Sequence, residues 1–449
     1  MDFAVPFKQK MIIVIACVLC GIAIAAGVVF YFNQHDFVWQ KACEEGLRER
    51  ENCNFQSAEK HLLVACANAE SFPLTDVRRY SSNLALAELY IATGNFSKAA
   101  TFMEKATVSA ELQNDVEHKL KVLGLRADML CREARFDDAR ITYKEMSELA
   151  QKTRQTSFEM DALLGQAKLD LLYLKRNESE EAIEQIDSLT SAALEEKTEY
   201  GILLSIYTAL LAELKGRYKT ALMLFEDANH VVQNREKPSS SLKLLLGNNC
   251  ATYYLQARNS VRARNLAVRV FDNCDKDFDS YFDAHALHAL RNLSAIYLEE
   301  NELLRAKQFI EKEVEEVGKR LSHKHPYYGL ALEHRAVLES REGKTDEAAR
   351  DFKAAQNIFV KTFGEKNRFS ADTLADIAKV EIEKKNFDAA SIPCKEALAI
   401  YKTILPYDHP SALKATLLLS MIYREQGKEV MAHTLEVEAS QGLSAADGK

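Results

Sequence analysis

The sequence predicts an all-α fold, a solenoid of about ten helical hairpins preceded by one transmembrane helix. Three observations lead there. An alanine recurs at Ala58, Ala99, Ala139, Ala182, Ala221, Ala263, Ala306, Ala348, Ala390 and Ala432, at intervals of 39 to 43 residues. The 449-residue chain has only 16 Gly and 7 Pro, and its abundant Ala, Leu, Glu and Lys favour helix over strand. Residues 11–32 carry no charge.

The clearest copy of the repeat runs from Gly216 to Ala228. A helix ends at Gly216, a new one starts with Tyr218 pointing inward, and Ala221, Phe225 and Ala228 then share one face. Ala209 and Ala212 put small residues on the facing side of the preceding helix, so the two helices approach closely. Phe55, Phe96, Phe136 and Phe387 stand three before the recurring alanine, as Tyr218 does, and Tyr143 and Phe352 stand four after it, as Phe225 does. This punctuation resembles that of the tetratricopeptide repeat. The resemblance implies a right-handed superhelix whose first helices line the inside.

From about residue 240 onward the repeats resemble those of kinesin light chains and related 42-residue tetratricopeptide arrays. His325-Pro326 and His409-Pro410 each precede a helix start, as in that family's inter-repeat loop, and Gly364-Glu365-Lys366-Asn367 keeps the loop without the proline. Leu246-Gly247-Asn248-Asn249-Cys250-Ala251 and Leu290-Arg291-Asn292-Leu293-Ser294-Ala295 look like its first-helix signature. The resemblance fits residues 240–440 well and 37–235 loosely. It implies a fold and a mode of binding, not a particular partner.

Taken in order, residues 1–10 form a short head carrying Lys8 and Lys10. Met11 to Phe32 follows, 22 residues without a charge; at 1.5 Å per residue such a helix is about 33 Å long, enough to cross a bilayer. Three other readings compete. Ala23-Ile24-Ala25 has the form of a signal-peptidase site, Val14-Ile15-Ala16-Cys17 that of a lipobox, and the run could be a buried core helix. The run stays apolar through Phe32 and all round the helix, which favours an uncleaved anchor. Lys8 and Lys10 before it, against Lys41 alone close after it, place the N-terminus in the cytoplasm and the array outside the cytoplasm. Hairpins one to five then occupy residues 33–235, hairpins six to ten 236–440, and 441–449 is a flexible tail. Asn177-Glu178-Ser179 replaces the glycine turn of the fourth hairpin, and Asn234 to Ser241 is the most loop-like stretch of the array.

Net charge is −8 with the two signs interspersed, which leaves no footprint for nucleic acid. No phosphate loop, zincin motif, nucleophile elbow or paired-cysteine motif occurs, and no enzyme, cofactor or small-molecule substrate is indicated. His285, His288, His323 and His325 lack the companions of a tetrahedral metal set. Cys43, Cys53, Cys66, Cys131, Cys250, Cys274 and Cys394 are odd in number and irregular in spacing, no disulfide framework; a pair within the first hairpin stays open.

Function is therefore sought on the inner face. In the first helices of the later hairpins the close contact falls on Ala251, Ser294, Ala336 and Ala378. Two residues earlier, on the far side of the helix, stand Asn249, Asn292, His334 and Asp376. These four should form a solvent-facing polar file, with Asn offering donor and acceptor to an extended peptide backbone. His288, Arg291 and Arg341 flank the file and would supply selectivity. In the resembling family, asparagines at this place contact bound peptides. The sequence thus points to a membrane-tethered adaptor holding peptide segments or partner proteins in its groove. The alternative is a structural protein that oligomerises through solenoid edges or terminal hairpins.

Overall fold

The computed structural model describes residues 7–51, 54–173, 181–186, 199–234, 240–274, 284–406 and 408–447. Side chains of residues 7–19, 23–26, 199–200, 240–241, 284 and 443–447 lie outside this description, as do the turn expected at Asn177–Ser179 and most of the loop-like stretch after Asn234. The described residues are helical hairpins with no strand among them.

The repeat register holds in detail. All ten recurring alanines are at most 6% exposed. Second helices begin at Phe55, Phe96, Phe136, Tyr218, Ser260, Leu303, Thr345, Phe387 and Glu429, each three residues before its alanine. Five residues before the alanine the backbone turns left-handed, at Gly94, Ala134, Gly216, Arg258, Asn301, Gly343, Lys385 and Gly427. Glycine is therefore the favoured but not the required turn residue, since one left-handed residue costs an L side chain only about 1–2 kcal/mol. The first-helix positions Ala209, Ala251, Ser294, Ala336 and Ala378 are all buried. A methyl or hydroxymethyl there lets neighbouring helices meet closely, and Phe225, Phe352 and Phe359 fill the space beside them.

Capping explains where the later first helices start. His325 and His409 each hold an extended backbone, and Nδ1 of each ring accepts the backbone N–H two residues on, of Tyr327 and Ser411, at 3.1 Å. Proline at the next position has no donor to leave unpaired and a ring suited to the first turn. Asn367 does the same work in the loop between, accepting from the Ser370 N–H at 2.8 Å. Pro393 lies inside the helix Phe387–Ile404, which runs on past it.

The chain forms two compact units, residues 1–122 and 123–449. In the first, the helix Phe7–Glu51 packs along Phe55–Ala69, and the pair Val77–Ala92 and Phe96–Gln113 follows. The first crossing is close at Gly46, where a β-carbon would stand 2.7 Å from the Leu62 side chain. Trp39 donates its indole N–H to Ser82 at 2.8 Å, and the Arg78 guanidinium pairs with Asp36 and Asp76 while lying 3.7 Å over the Phe72 ring.

The membrane span is corrected here. Among the described residues no helix is long and apolar enough to cross a membrane. The single-pass anchor over Met11–Phe32, and the placement of the array across a bilayer from the head, are accordingly withdrawn. The far end of the run shows a physical reason. Tyr31 donates to Ser71 at 3.4 Å, the Phe32 ring lies 5.6 Å from that of Phe72, and His35 stands 2.8 Å from the Asn68 side-chain oxygen. These residues pack on the first hairpin where a span would meet headgroups, and the helix continues without a break to Glu51.

In the second unit helices pair into hairpins, among them 199–214 with 218–233, 240–256 with 260–274, 284–299 with 303–320, 326–341 with 345–363, 368–383 with 387–404, and 410–425 with 429–447, and each of these hairpins packs on the next. First helices also touch the first helices two elements away: 240–256 meets 284–299, which meets 326–341, which meets 368–383. Second helices make no comparable contact among the described residues. The stack is thus tighter on the first-helix side, which makes that side concave. The last helix, Glu429–Asp447, runs through most of the stretch expected to be a tail. Cys43 and Cys66 are free, and Cys53 lies outside the described residues.

Candidate functional site

The polar residues expected on the inner face lie in two kinds of environment. Asn249 is half-buried; its amide donates to the Leu245 carbonyl of its own helix at 3.0 Å. Asn292, expected to face solvent, is 3% exposed. Its amide donates to the Asn248 carbonyl at 3.1 Å, and its oxygen accepts from Thr252 at 2.9 Å. Asn248 donates in turn to the His285 carbonyl at 2.9 Å. These bonds tie helix 240–256 to helix 284–299, so Asn292 and Asn248 position the face. The misplacement of Asn292 has a simple origin: a residue 200° from one neighbour still faces another when first helices touch first helices.

His288 stands half-buried, 3.3 Å from the Thr252 hydroxyl. Burial first, then Arg291 and His285, push its imidazole well below the ordinary histidine value, so it is neutral at pH 7 and has both a donor and an acceptor. Arg291 lies 5.6 Å over the Tyr327 ring. His334 turns back to Glu313 at 3.1 Å, on the preceding second helix. Asp376 accepts from Lys379 at 2.6 Å. Arg341 donates to the Leu298 carbonyl and lies 3.8 Å from Glu383.

Beside Asp376 is a residue the sequence reading missed. Glu333 is 6% exposed, and one of its carboxyl oxygens has no hydrogen-bond partner among the described residues. Burial, with Asp376 and Asp372 adding to it, holds this carboxyl well above the usual range. It sits one position before His334 in the repeat, where Arg291 and Asn248 stand in earlier hairpins. A polar or ionisable residue at three successive copies of one near-core position is the signal that was available.

Distant parts of this unit also meet. Loops that precede first helices late in the unit pack on hairpin turns from early in it, in register. His325 bonds the backbone of Arg132. Phe363 stacks on Phe136 at 5.8 Å and meets Tyr173 edge-on at 5.5 Å. His409 lies 3.3 Å from the Glu213 carbonyl, 196 positions away, and its ring is 6.1 Å from that of Tyr218. There the Arg368 guanidinium stands 3.5 Å from the Glu213 carboxylate, and Leu214, 4% exposed, packs into the core formed by Ala371, Ala412 and Ala415. His325, Phe363 and His409, one from each of three successive hairpin junctions, thus meet Arg132, Phe136 with Tyr173, and the Glu213–Tyr218 turn. A cavity of about 410 Å³ lies along the first contact, lined among others by Arg135, Phe136, Tyr173, Lys324 and Lys361. Burial pushes His325 and His409 down to about 4, with Arg368 adding to the effect at His409.

The tetratricopeptide-repeat family model matches residues 370–411, which include all of the helix pair 368–383 and 387–404 but its first two residues. Residues 370–411 thus match a tetratricopeptide repeat, and the fold of the array is tetratricopeptide-like. The array is similar to the structure of a Rap protein complexed with competence and sporulation factor, at a TM-score of 0.56 and 12% identity, covering 84% of this chain and 99% of that one. It also matches NprR in complex with its cognate peptide NprX, at a TM-score of 0.49 and 14% identity over 81% of this chain and 97% of that one. A Podosopora anserina putative kinesin light chain with nearly identical repeats matches at a TM-score of 0.36 and 18% identity over 46% of this chain and 97% of that one. At these identities the likeness is one of fold. No curated protein matches the sequence.

Proposed function

We propose that this tetratricopeptide-like array is an adaptor that holds a peptide segment or partner protein on the concave face of residues 236–440. One observation carries the reading. First helices bury their small contact residues fully, yet leave Asn249 in helix 240–256, His288 and Arg291 in helix 284–299 and Asp376 in helix 368–383 half-exposed. Polar groups at repeat spacing suit the backbone of an extended chain, and neighbours of both charges suit its side chains. In this reading Arg341, paired with Glu383, and His334, bonded to Glu313, flank the ligand, and Asn292 holds two of the first helices together beneath it. The Rap structure, which shares the fold type, is complexed with competence and sporulation factor.

The test is selection of a random peptide library on the full chain, with the oligomeric state followed in parallel by light scattering. Discrete, mutually competing ligands support the adaptor. Self-association with no enriched peptide would favour a structural assembly protein instead.

A further inference from the structure

We infer that Lys168, Tyr207, Arg291 and Tyr327 form a subsite of the second unit that takes a carboxylate of the bound segment, from an acidic side chain or from a chain end. The inference rests on the adaptor reading and adds the charge of the ligand to it. The four residues come from four helices, 156–172, 199–214, 284–299 and 326–341. They are brought together where His325, just before helix 326–341, bonds the backbone of Arg132 at the end of helix 116–132. Two residues on, Tyr327 faces Lys168, as do Tyr207 and, from helix 116–132, Asp128 and Cys131. The Arg291 guanidinium lies 5.6 Å over the Tyr327 ring. Helix 156–172 does not pack along helix 284–299 or helix 326–341, so these side chains meet across open space. Lys168 and Tyr327 are exposed, and Tyr207 and Arg291 are half-buried.

What the four groups share is donors without acceptors. The Lys168 ammonium, the Arg291 guanidinium and the hydroxyls of Tyr207 and Tyr327 make no hydrogen bond or ion pair among the described residues. Cations elsewhere in the unit are paired: Arg264 with Glu300, Arg335 with Asp351, Arg368 with Glu213, Lys379 with Asp376. Asp128 is the only carboxylate among the groups that Lys168 faces, and it already accepts from Tyr143 at 2.7 Å. His288, near Arg291, is neutral and adds no charge. Two cations against one carboxylate leave a single positive charge, which one further carboxylate neutralises and a doubly charged phosphate would exceed. Stacking on Tyr327 holds the guanidinium by its face and leaves its edge free, a fork that meets both oxygens of a carboxylate. A ligand amide in the same place turns its N–H groups toward further donors, so the subsite takes glutamate and rejects glutamine.

The test captures random decapeptide pools on the immobilised full chain and reads the retained fraction by mass spectrometry. One pool fixes glutamate at its centre and a second fixes glutamine, both ending in an amide; a third repeats the glutamine pool with a free carboxyl end. All other positions omit aspartate and glutamate. The parent should retain the glutamate pool, or the pool with the free end, on the order of tenfold better than the amidated glutamine pool. Which of the two gains tells an acidic side chain from a chain end. In Lys168→Gln and in Arg291→Gln that advantage should fall toward equality, with retention of the amidated glutamine pool unchanged. Lys168 is exposed and unpaired, so its replacement leaves folding intact and decides alone if Arg291→Gln loses helicity. Equal retention of the three pools by the parent, or an advantage that survives undiminished in Lys168→Gln, overturns the subsite and leaves the adaptor standing. Retention of no pool overturns both.

Discussion

A β-carbon on Gly216 would stand 3.1 Å from Cδ of Pro410, although the two residues lie in hairpins far apart along the chain. Gly216 turns with φ +78°, and Gly343 turns almost identically with φ +81° but has nothing within 4 Å of its β position. Alanine at either site takes the left-handed backbone, costing about 1–2 kcal/mol. Only at 216 does it also crowd a neighbour, adding about 1–3 kcal/mol. Urea midpoints should therefore fall further for Gly216→Ala than for Gly343→Ala. Equal losses would mean that the early turn and the late loop do not touch in solution.

The paired histidines make stability fall in acid. His325 and His409 cap helices through Nδ1 as an acceptor, and protonation removes that acceptor. Each is held at about 4 in the folded chain, below the ordinary value of 6.5. The unfolded chain then binds more protons between those limits, so their contribution is full above about pH 6.5 and declines as pH falls toward 4. At its steepest the loss is about 1.4 kcal/mol per pH unit for each histidine. Asn367 shows that asparagine caps the same loop without titrating. His325→Asn/His409→Asn should flatten the dependence of the urea midpoint on pH between 6.5 and 4; an unchanged slope would show that other groups set it.

Glu333 acts in the opposite sense. Its folded pKa is raised, so the folded chain holds the extra proton; the associated stability is full below about pH 4.3 and declines as pH rises through the folded value. Glu333→Gln keeps the shape and removes the ionisation. It should be close to neutral near pH 4 and stabilising at pH 8, by on the order of 1–3 kcal/mol. A variant less stable than the parent at pH 8 would mean that the carboxylate is charged and paired in the native state.

The fold was legible because a repeat multiplies weak evidence. Ala221 alone says little, yet ten alanines in register located the buried contacts and the second-helix starts together. The left-handed turns at Ala134, Arg258 and Lys385 were not legible, since only glycine and asparagine advertise that conformation. Met11–Phe32 misled because hydropathy reports what a helix could do in lipid, and Phe32 and His35 instead pack on the first hairpin. At the site, helical periodicity predicted partial exposure for Asn249 and Asp376, which they have, and misjudged Asn292, whose bonds depend on the neighbouring first helix. The Glu213–Arg368 pair could not be read from any local pattern, because superhelical geometry alone brings those hairpins together.

The concave face as a ligand site is tested most directly by the affinity of a peptide selected from the library for the parent and for single alanine variants. Asn249→Ala and His288→Ala remove partly exposed groups, so melting should barely change while binding weakens by about 0.5–1.5 kcal/mol for each neutral hydrogen bond to the peptide that is removed. Lys219→Ala, on an exposed second-helix position, is the control and should leave affinity unchanged. If both concave variants bind as tightly as the parent, or if only Lys219→Ala weakens binding, the ligand sits elsewhere and the concave reading fails.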